Sequence, residues 1–205
     1  MSTHSEPHSE APRIGILVFH HVDELDVVGA YEPLAKAARC PDHPGALAPP
    51  MLLGTTPRVS GSNGLSIGDV RPLGDARRCH ALIVPGGTGI AEACGDEVLV
   101  RTVREAYESG GPMYSVCSGA FLLAAAGVLA GRRVAVHHGK TARLAEAAGP
   151  GATVGSSGMT VHGRITSVGG FDSGVKALTI GFAALARFSP TCVACVSERM
   201  EVRAS

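Results

Sequence analysis

The 205-residue sequence predicts an α/β protein, a three-layer α/β/α sandwich built on a mostly parallel sheet. Short runs of continuously apolar residues are typical of strands that are covered on both faces. Segments with helical periodicity separate these runs, as the connections between parallel strands require. A hydrophobic content of 45% over this length is that of one domain of ordinary size. In such a sheet functional groups gather at the carboxyl ends of the strands, so candidate motifs are expected there.

The predicted elements alternate along the chain. Strands are predicted at residues 13–19, 51–54, 81–84, 113–116 and 133–136. Helices are predicted at residues 31–38, 96–108, 119–126, 141–148 and 173–187. Segments 59–67 and 159–167 each contain a glycine turn and are interpreted as small hairpins at a sheet edge.

Composition excludes several classes of function. Eighteen Lys and Arg balance eighteen Asp and Glu, so no broad basic face is expected for nucleic acid. The apolar runs are too short to span a bilayer, and no membrane partner is expected. Residues 1–12 are polar and predict a disordered tail without a secretory signal, followed by a single domain over residues 13–205. Six cysteines in such a chain indicate reduced thiols and a cytoplasmic location.

The strongest chemical motif is a cysteine where a predicted strand meets a predicted helix. Cys117 ends the run 113–116, and Ser118 and Gly119 lead into an apolar helix. This pattern is typical of a nucleophile elbow, which exposes a side chain above the sheet. A helix N-terminus favours a thiolate there. A buried cysteine that serves as a small hydrophobic residue is the alternative.

Two further strand ends supply candidate partners for this thiol. The strand 81–84 closes on Pro85-Gly86-Gly87, where the backbone N–H groups of Gly86 and Gly87, with that of Ser118, could stabilise a developing negative charge. By itself this turn is equally a tight connection between strand and helix. After the first strand, Asp26 lies between apolar residues and is a candidate functional carboxylate, whereas Asp23 and Glu24 fit a solvated acidic loop.

Histidine and cysteine pairs give weaker signals. His137 and His138 follow the strand 133–136, where a histidine can serve a thiol as base or orienting group, although a surface histidine fits equally. We expect no metal site from His20 and His21, because adjacent histidines seldom point the same way. The pair Cys192 and Cys195 has the spacing of half a zinc or redox site, but no second pair follows, and a packed terminal helix is favoured.

Taken together, these motifs resemble the DJ-1/PfpI superfamily. The resemblance rests on Leu25-Asp26 with Gly29 and Glu32, on Val84-Pro-Gly-Gly87, on Ser115-Val-Cys-Ser-Gly119 and on Gly131-Arg-Arg with His137, in matching order over residues 13–188. Within it, the sequence is similar to the isonitrile hydratase-like, class I glutamine amidotransferase-like branch. That branch includes sensor domains of some AraC-type regulators.

The resemblance implies a flavodoxin-like sandwich and a homodimer. It implies Cys117 as nucleophile, Asp26 as its acid/base partner and His137 as the histidine beside the elbow, with Gly86, Gly87 and Ser118 as oxyanion or substrate-binding groups. The implied reaction is a cofactor-independent addition of water to a small electrophile, foremost an isonitrile, which gives an N-substituted formamide. Neither an organic cofactor nor a metal is expected for it.

Some positions depart from the branch pattern and bear on the substrate. His138 stands where Trp is usual, Ser118 where Thr is usual, Ala30 where Pro is usual, and Lys176 where the last helix usually carries an acid. The pocket beside His138 is therefore expected to be polar. Alternatives are a DJ-1-like glyoxalase or deglycase acting on reactive carbonyls, and a non-enzymatic ligand- or redox-sensing domain. A DNA-binding regulator is disfavoured, since no helix-turn-helix region follows in this sequence.

Overall fold

A computed structural model describes residues 10–170 and 175–203 of the chain. The predicted tail lies mostly outside the described residues. Residues 10–12 are described and form neither helix nor strand, and the carbonyl of Pro12 accepts a hydrogen bond of 2.8 Å from the amide of Ala48. None of the helices in the described ranges has the length and apolar character needed to cross a membrane.

The core of the molecule is a seven-stranded, mostly parallel sheet, as the sequence predicts. From one edge to the other its strands are β10 (Met159–His162), β11 (Ile165–Val168), β7 (Met113–Val116), β6 (Ala81–Val84), β1 (Ile14–Leu17), β2 (Met51–Gly54) and β5 (Arg71–Pro72). Only the edge strand β10 pairs antiparallel with its neighbour among these described strands. The central strands β1, β6 and β7 are buried throughout, which explains their continuous apolar sequence.

Helices cover both faces of this sheet and complete the three layers. One face carries α1 (Glu24–Ala38), α6 (Lys176–Phe188) and α7 (Cys192–Met200). The other carries α2 (Ile90–Gly95), α3 (Glu97–Glu108), α4 (Ala120–Ala125) and α5 (Thr141–Ala147). The predicted fold class is therefore confirmed, and the favoured terminal helix over Cys192 and Cys195 is present as α7.

Some elements differ from the sequence prediction. The predicted strand 133–136 is β8 (Arg133–Ala135), which pairs with an unpredicted β9 (Thr153–Gly155) in a separate two-stranded sheet. The predicted hairpin 59–67 is likewise a separate pair, β3 (Val59–Ser60) with β4 (Ser66–Ile67). The second predicted hairpin enters the main sheet, because β11 pairs in parallel with β7.

Helix α1 begins seven residues before its predicted start at Tyr31. The carboxylate of Asp23 caps it by accepting hydrogen bonds from the amides of Leu25 and Asp26, so Asp23 is a helix cap and not the solvated loop residue that the sequence predicts. The predicted helix 173–187 corresponds to α6, and its residues 173–174 lie outside the described part of the chain.

Helices α1 and α6 pack closely through small residues. A Cβ added at Gly29 would lie 2.9 Å from the Cβ of Ala177, and one added at Gly181 would lie 2.9 Å from the carbonyl oxygen of Ala30. This contact brings the first residue of α6, Lys176, next to the N-terminal half of α1, where Asp26 lies.

Candidate functional site

Cys117 lies on a sharp turn between β7 and α4. Its φ angle is 54°, in the left-handed region that residues with a side chain rarely occupy. A short 3₁₀ turn, Cys117–Gly119, follows at once and leads into α4. A Cβ at Gly119 would lie 2.1 Å from the carbonyl oxygen of Val84, so the turn needs glycine there to press against β6. The half-buried Cys117 is thus held on a strained elbow, as the sequence predicts.

The carboxyl group of Asp26 is buried near this elbow. Asp26 lies in the first turn of α1 and is 8% exposed. Its Oδ2 accepts a hydrogen bond of 2.9 Å from the amide of Gly86. The carbonyl of Gly86 in turn accepts the amide of Asp23 at 2.9 Å. The Pro-Gly-Gly turn is therefore joined to the start of α1 by two hydrogen bonds.

Gly86 is the point where the three predicted motifs meet. A Cβ added to it would lie 2.7 Å from Ser118 Oγ, 2.9 Å from the Ser118 amide nitrogen and 3.0 Å from Asp26 Oδ2. The carboxyl, the glycine turn and the elbow are consequently packed against one another with no room for a side chain at this position.

The backbone amides of the site do not all stay available for an oxyanion. The amide of Gly86 already donates to Asp26, and that of Gly87 donates to Ser118 Oγ at 3.2 Å. The amide of Ser118 faces the sulfur of Cys117 and lowers the pKa of its thiol. Among the three predicted donors, Ser118 therefore has the clearest access to a group bound to Cys117. An oxyanion role for Gly86 and Gly87 stays a prediction and would require these hydrogen bonds to be exchanged.

Burial dominates the ionisation of both reactive groups. It raises the pKa of Asp26 from the ordinary 3.8 to about 7, against the opposing effect of the Gly86 hydrogen bond. Burial also raises the pKa of the Cys117 thiol, and the nearby Asp26 carboxylate raises it further. That the helix N-terminus favours a thiolate stays a prediction, although burial and Asp26 raise the pKa of the thiol above its ordinary value. Desolvation and a like charge outweigh the hydrogen bond from the Ser118 amide, so the pair favours a thiol beside a carboxyl that titrates near neutrality.

Two lysines make the surroundings of the elbow cationic. Lys176 lowers the pKa of both Asp26 and Cys117, and Lys140 lowers that of Cys117. Lys176 is one of the departures from the branch pattern that bear on the substrate, whereas no pattern in the sequence analysis indicates Lys140. A signal for Lys140 existed, since it lies three residues after His137 at the end of the same connection.

The two histidines stack on each other at the edge of the site. The ring centroids of His137 and His138 are 4.3 Å apart. His137 Nδ1 accepts the amide of Gly139 at 3.1 Å, and burial lowers the pKa of His137. No hydrogen bond joins His137 to Cys117 within the described residues. A catalytic role for His137, and substrate contact by the exposed His138, remain predictions.

Glu24 has a role that the sequence did not suggest. Its carboxylate accepts hydrogen bonds from the amide and side chain of Asn63, at 2.7 and 2.9 Å, and from the amide of Leu65 at 3.3 Å. It therefore ties the β3–β4 hairpin to the start of α1 and is not a freely solvated loop residue.

These features define an α/β sandwich in which a strained cysteine elbow, a buried carboxyl and a Gly-Gly turn meet at the carboxyl ends of parallel strands. The sequence matches the DJ-1/PfpI family over residues 12–174, and the chain belongs to that family.

Known proteins similar to this chain differ in function. It is 30% identical over 127 residues to an isonitrile hydratase from Pseudomonas putida, an alignment that covers 62% of this chain and 53% of the relative. It is also 30% identical over 135 residues to the HTH-type transcriptional regulator GlxA of Rhizobium meliloti (strain 1021), covering 66% of this chain and 41% of the regulator. The chain thus aligns with about half of each of these relatives.

The fold is that of solved members of the family. The structure of Drosophila melanogaster DJ-1beta superposes with a TM-score of 0.78 at 17% identity, covering 94% of this chain and 99% of that one. At this identity the likeness concerns the fold and carries no assignment of activity.

Proposed function

We propose that the protein is a cysteine-dependent hydratase that converts isonitriles to N-substituted formamides. The observation that carries the proposal is the junction at Gly86, where the carboxyl of Asp26 and the elbow after Cys117 meet. The similarity to an isonitrile hydratase supports it. In this proposal Cys117 is the nucleophile, Asp26 transfers the protons, and the enzyme acts as a homodimer in the cytoplasm.

The proposed reaction uses the raised pKa values of both groups. The Asp26 carboxylate accepts the proton of the Cys117 thiol as the sulfur bonds to the terminal carbon of R–N≡C. The same proton is returned to that carbon, which gives a thioimidate, R–N=CH–S–Cys117. A water molecule then adds to the carbon while its proton passes through Asp26 to the nitrogen. The C–S bond breaks, the thiol regains a proton, and R–NH–CHO leaves.

A carboxyl with a pKa of about 7 suits this double role, because it gives and takes protons near neutral pH. The amide of Ser118 faces the sulfur and would donate to the developing charge. His137 is retained as a candidate proton-transfer or positioning group.

The charges around the elbow favour a polar substrate. Lys176 and Lys140 act electrostatically on Cys117, and the exposed His138 lies at the same edge. We infer that the group R carries an anionic substituent such as a carboxylate, and that a simple alkyl isonitrile is a poorer substrate.

The test is formamide production, measured by mass spectrometry with cyclohexyl isocyanide and with isocyanoacetate. We expect turnover of both by the wild type and a preference for isocyanoacetate. Cys117→Ala and Asp26→Asn are expected to abolish turnover, whereas Cys94→Ala, a half-buried cysteine on α2, is expected to retain it. An inactive wild type, or an active Cys117→Ala variant, would contradict the hydratase proposal.

A ligand-sensing domain is the second candidate, favoured by the similarity to a helix-turn-helix regulator. In that case isonitriles or other small electrophiles would bind at Cys117 without turnover. A stable covalent adduct of Cys117, detected by intact-protein mass spectrometry without release of formamide, would support this candidate over the enzyme.

A further inference from the structure

A second group of thiols lies at the opposite end of α1 from Cys117. Cys40 follows the C-terminus of α1 and is 2% exposed, and its Sγ lies 2.9 Å from Sγ of Cys195 on α7. A carboxylate oxygen of Asp42 lies near these two sulfurs, and the three atoms are all within 4.8 Å of one another. Cys195 belongs to the predicted half-site of Cys192 and Cys195, and its partner thiol, Cys40, lies 155 residues away on another segment.

A third thiol lies beside this cluster. Cys192 precedes Cys195 by three residues and so lies on the same face of α7. Its thiol is fully buried, accepts a hydrogen bond of 3.1 Å from Ser189 Oγ, and interacts with Cys40. Two sulfurs and one carboxylate oxygen thus converge where α7 meets the end of α1, with the thiol of Cys192 next to Cys40.

The surroundings of the cluster suit a bound cation. The C-terminal end of a helix carries a partial negative charge, and Cys40 follows the end of α1. Arg199 of α7 already occupies part of this end, since its guanidinium donates to the carbonyls of Lys36 and Arg39 at 3.3 and 3.4 Å. The backbone amides of Asp42 and His43 face the sulfur of Cys40. Amide donors of this kind orient a ligand sulfur and support its negative charge.

We propose that Cys40, Cys195 and Asp42 bind a thiophilic divalent cation of the zinc class. Zinc favours tetrahedral sets of thiolate, imidazole and carboxylate ligands. In such a set two sulfurs at about 2.3 Å from the metal are about 3.8 Å apart. The observed 2.9 Å lies between this value and the length of about 2.05 Å for a disulfide. The Asp42 carboxylate favours the metal, because a disulfide would not use it.

The proposed site is structural and separate from the elbow. Helix α1 has 15 residues, and at about 1.5 Å per residue it places the cluster roughly 22 Å from the start of the helix, where Asp26 lies. A metal here would link α7 to α1 and stabilise the folded chain. The metal site can therefore be tested independently of the proposed hydratase activity.

The experiment uses the full chain, reduced with a phosphine and titrated with Zn²⁺ and, in parallel, with Co²⁺. The wild type is expected to retain about one zinc per chain after desalting. With cobalt it should show the near-ultraviolet absorption of thiolate-to-cobalt charge transfer, and zinc should raise the melting temperature. Cys195→Ser is expected to lose this absorption and at least about 100-fold in zinc affinity, since even outer-shell substitutions cost about 10–100-fold.

Matched variants separate this site from other thiols and from misfolding. Cys117→Ser and Cys94→Ser leave the cluster intact and should keep both the absorption and the bound zinc. Asp42 is exposed, so Asp42→Asn should fold normally and still weaken zinc binding by at least about tenfold. Far-ultraviolet circular dichroism of each variant checks the fold.

Three outcomes would overturn the proposal. In the first, the reduced wild type binds neither metal. In the second, metal binding is lost in Cys117→Ser and kept in Cys195→Ser. In the third, the reduced chain binds no metal but forms a Cys40–Cys195 disulfide with hydrogen peroxide. The last result would identify the cluster as a redox pair in place of a metal site.

Discussion

The two ends of α1 carry two thiol sites that differ in almost every physical respect. At the N-terminal end, burial and the Asp26 carboxylate raise the pKa of Cys117, which sits half-buried on a strained elbow. Beyond the C-terminal end, the hydrogen bond with Cys195 lowers the pKa of Cys40, which is almost fully buried. The same hydrogen bond raises the pKa of Cys195 to about 11, so this site lowers the pKa of one thiol and raises that of the other.

This difference teaches that a low pKa does not by itself identify a nucleophile. A reacting thiol needs a path for its proton, space for an electrophile and a backbone that presents the sulfur. At Cys117, Asp26 gives the proton a path, the partial exposure of the side chain leaves space for an electrophile, and the elbow presents the sulfur. Cys40 instead has further sulfurs and a carboxylate around it, which is the environment of a ligand.

The largest expected effect compares serine substitutions at the two ends. Cys117→Ser should lower isonitrile turnover by at least about 10⁴-fold, because a serine hydroxyl beside a single carboxyl is a far weaker nucleophile than the thiol. Cys195→Ser, far from the elbow, should change turnover by less than about twofold. Steady-state formamide production measures both. Equal losses in the two variants would remove the distinction between a reactive and a structural thiol site.

The next effect concerns stability and pH at the N-terminal end. In the folded protein Asp26 stays protonated up to a pKa of about 7, whereas in the unfolded chain it ionises near 3.8. The folded state therefore binds more protons between these values, and wild-type stability falls as pH rises through this window and levels off above it. Asp26→Asn avoids this loss. At pH 8 it should be more stable than the wild type by roughly 4 kcal/mol, and near pH 3.5 the difference should vanish.

Urea unfolding between pH 3.5 and 8 tests this prediction. The exposed carboxyl of Asp69 gives a control, and Asp69→Asn should produce no comparable gain at pH 8. An advantage of Asp26→Asn that does not change with pH would show that the carboxyl titrates alike in both states. The same variant should be inactive, because its amide cannot transfer protons. The buried carboxyl would therefore lower stability at pH 8 while serving the reaction.

A third prediction tests the glycine that allows the elbow. In Gly119→Ala the new Cβ would lie 2.1 Å from the backbone oxygen of Val84, and backbone must move to relieve the contact. We expect a loss of about 3 kcal/mol in the free energy of unfolding, measured with urea. Gly95→Ala is the matched control, since a Cβ there meets nothing within 4 Å. Equal stability of the two variants would mean that the elbow tolerates a side chain.

Much of the fold could be predicted because it depends on local patterns. Continuous apolar runs marked the central strands β1, β2, β6 and β7, and a cysteine followed by small residues marked the elbow. The short strands β5 and β9 escaped prediction because two or three residues carry no periodicity. The early start of α1 was missed because its cap, Asp23, was read as loop.

The residues of the candidate site could be predicted from the sequence, but the distances and interactions between them could not. That Cys117 and Gly86 follow strand ends, and that Asp26 lies in the segment after the first strand, could be predicted from their positions in the sequence. The burial that raises the pKa of Asp26 depends on packing by distant segments, as does the approach of Lys176 through the α1–α6 contact. The pairing of Cys40 with Cys195 spans most of the chain, so no local spacing could reveal it.

The smallest expected effect concerns Lys176 and the charge balance at the elbow. Lys176 lowers the pKa of Cys117, so Lys176→Met should raise that pKa further. Alkylation of Cys117 by iodoacetamide, followed by peptide mass spectrometry, should then be about three- to tenfold slower at pH 8 and shift to higher pH. The turnover of isocyanoacetate should fall more than that of cyclohexyl isocyanide. Lys36→Met removes a lysine of α1 that is paired with Glu32 at 3.1 Å, and it should leave both measurements unchanged. If Lys176→Met leaves the alkylation profile where it was, Lys176 does not tune this thiol, and its pKa is set by burial, Asp26, the Ser118 amide and Lys140.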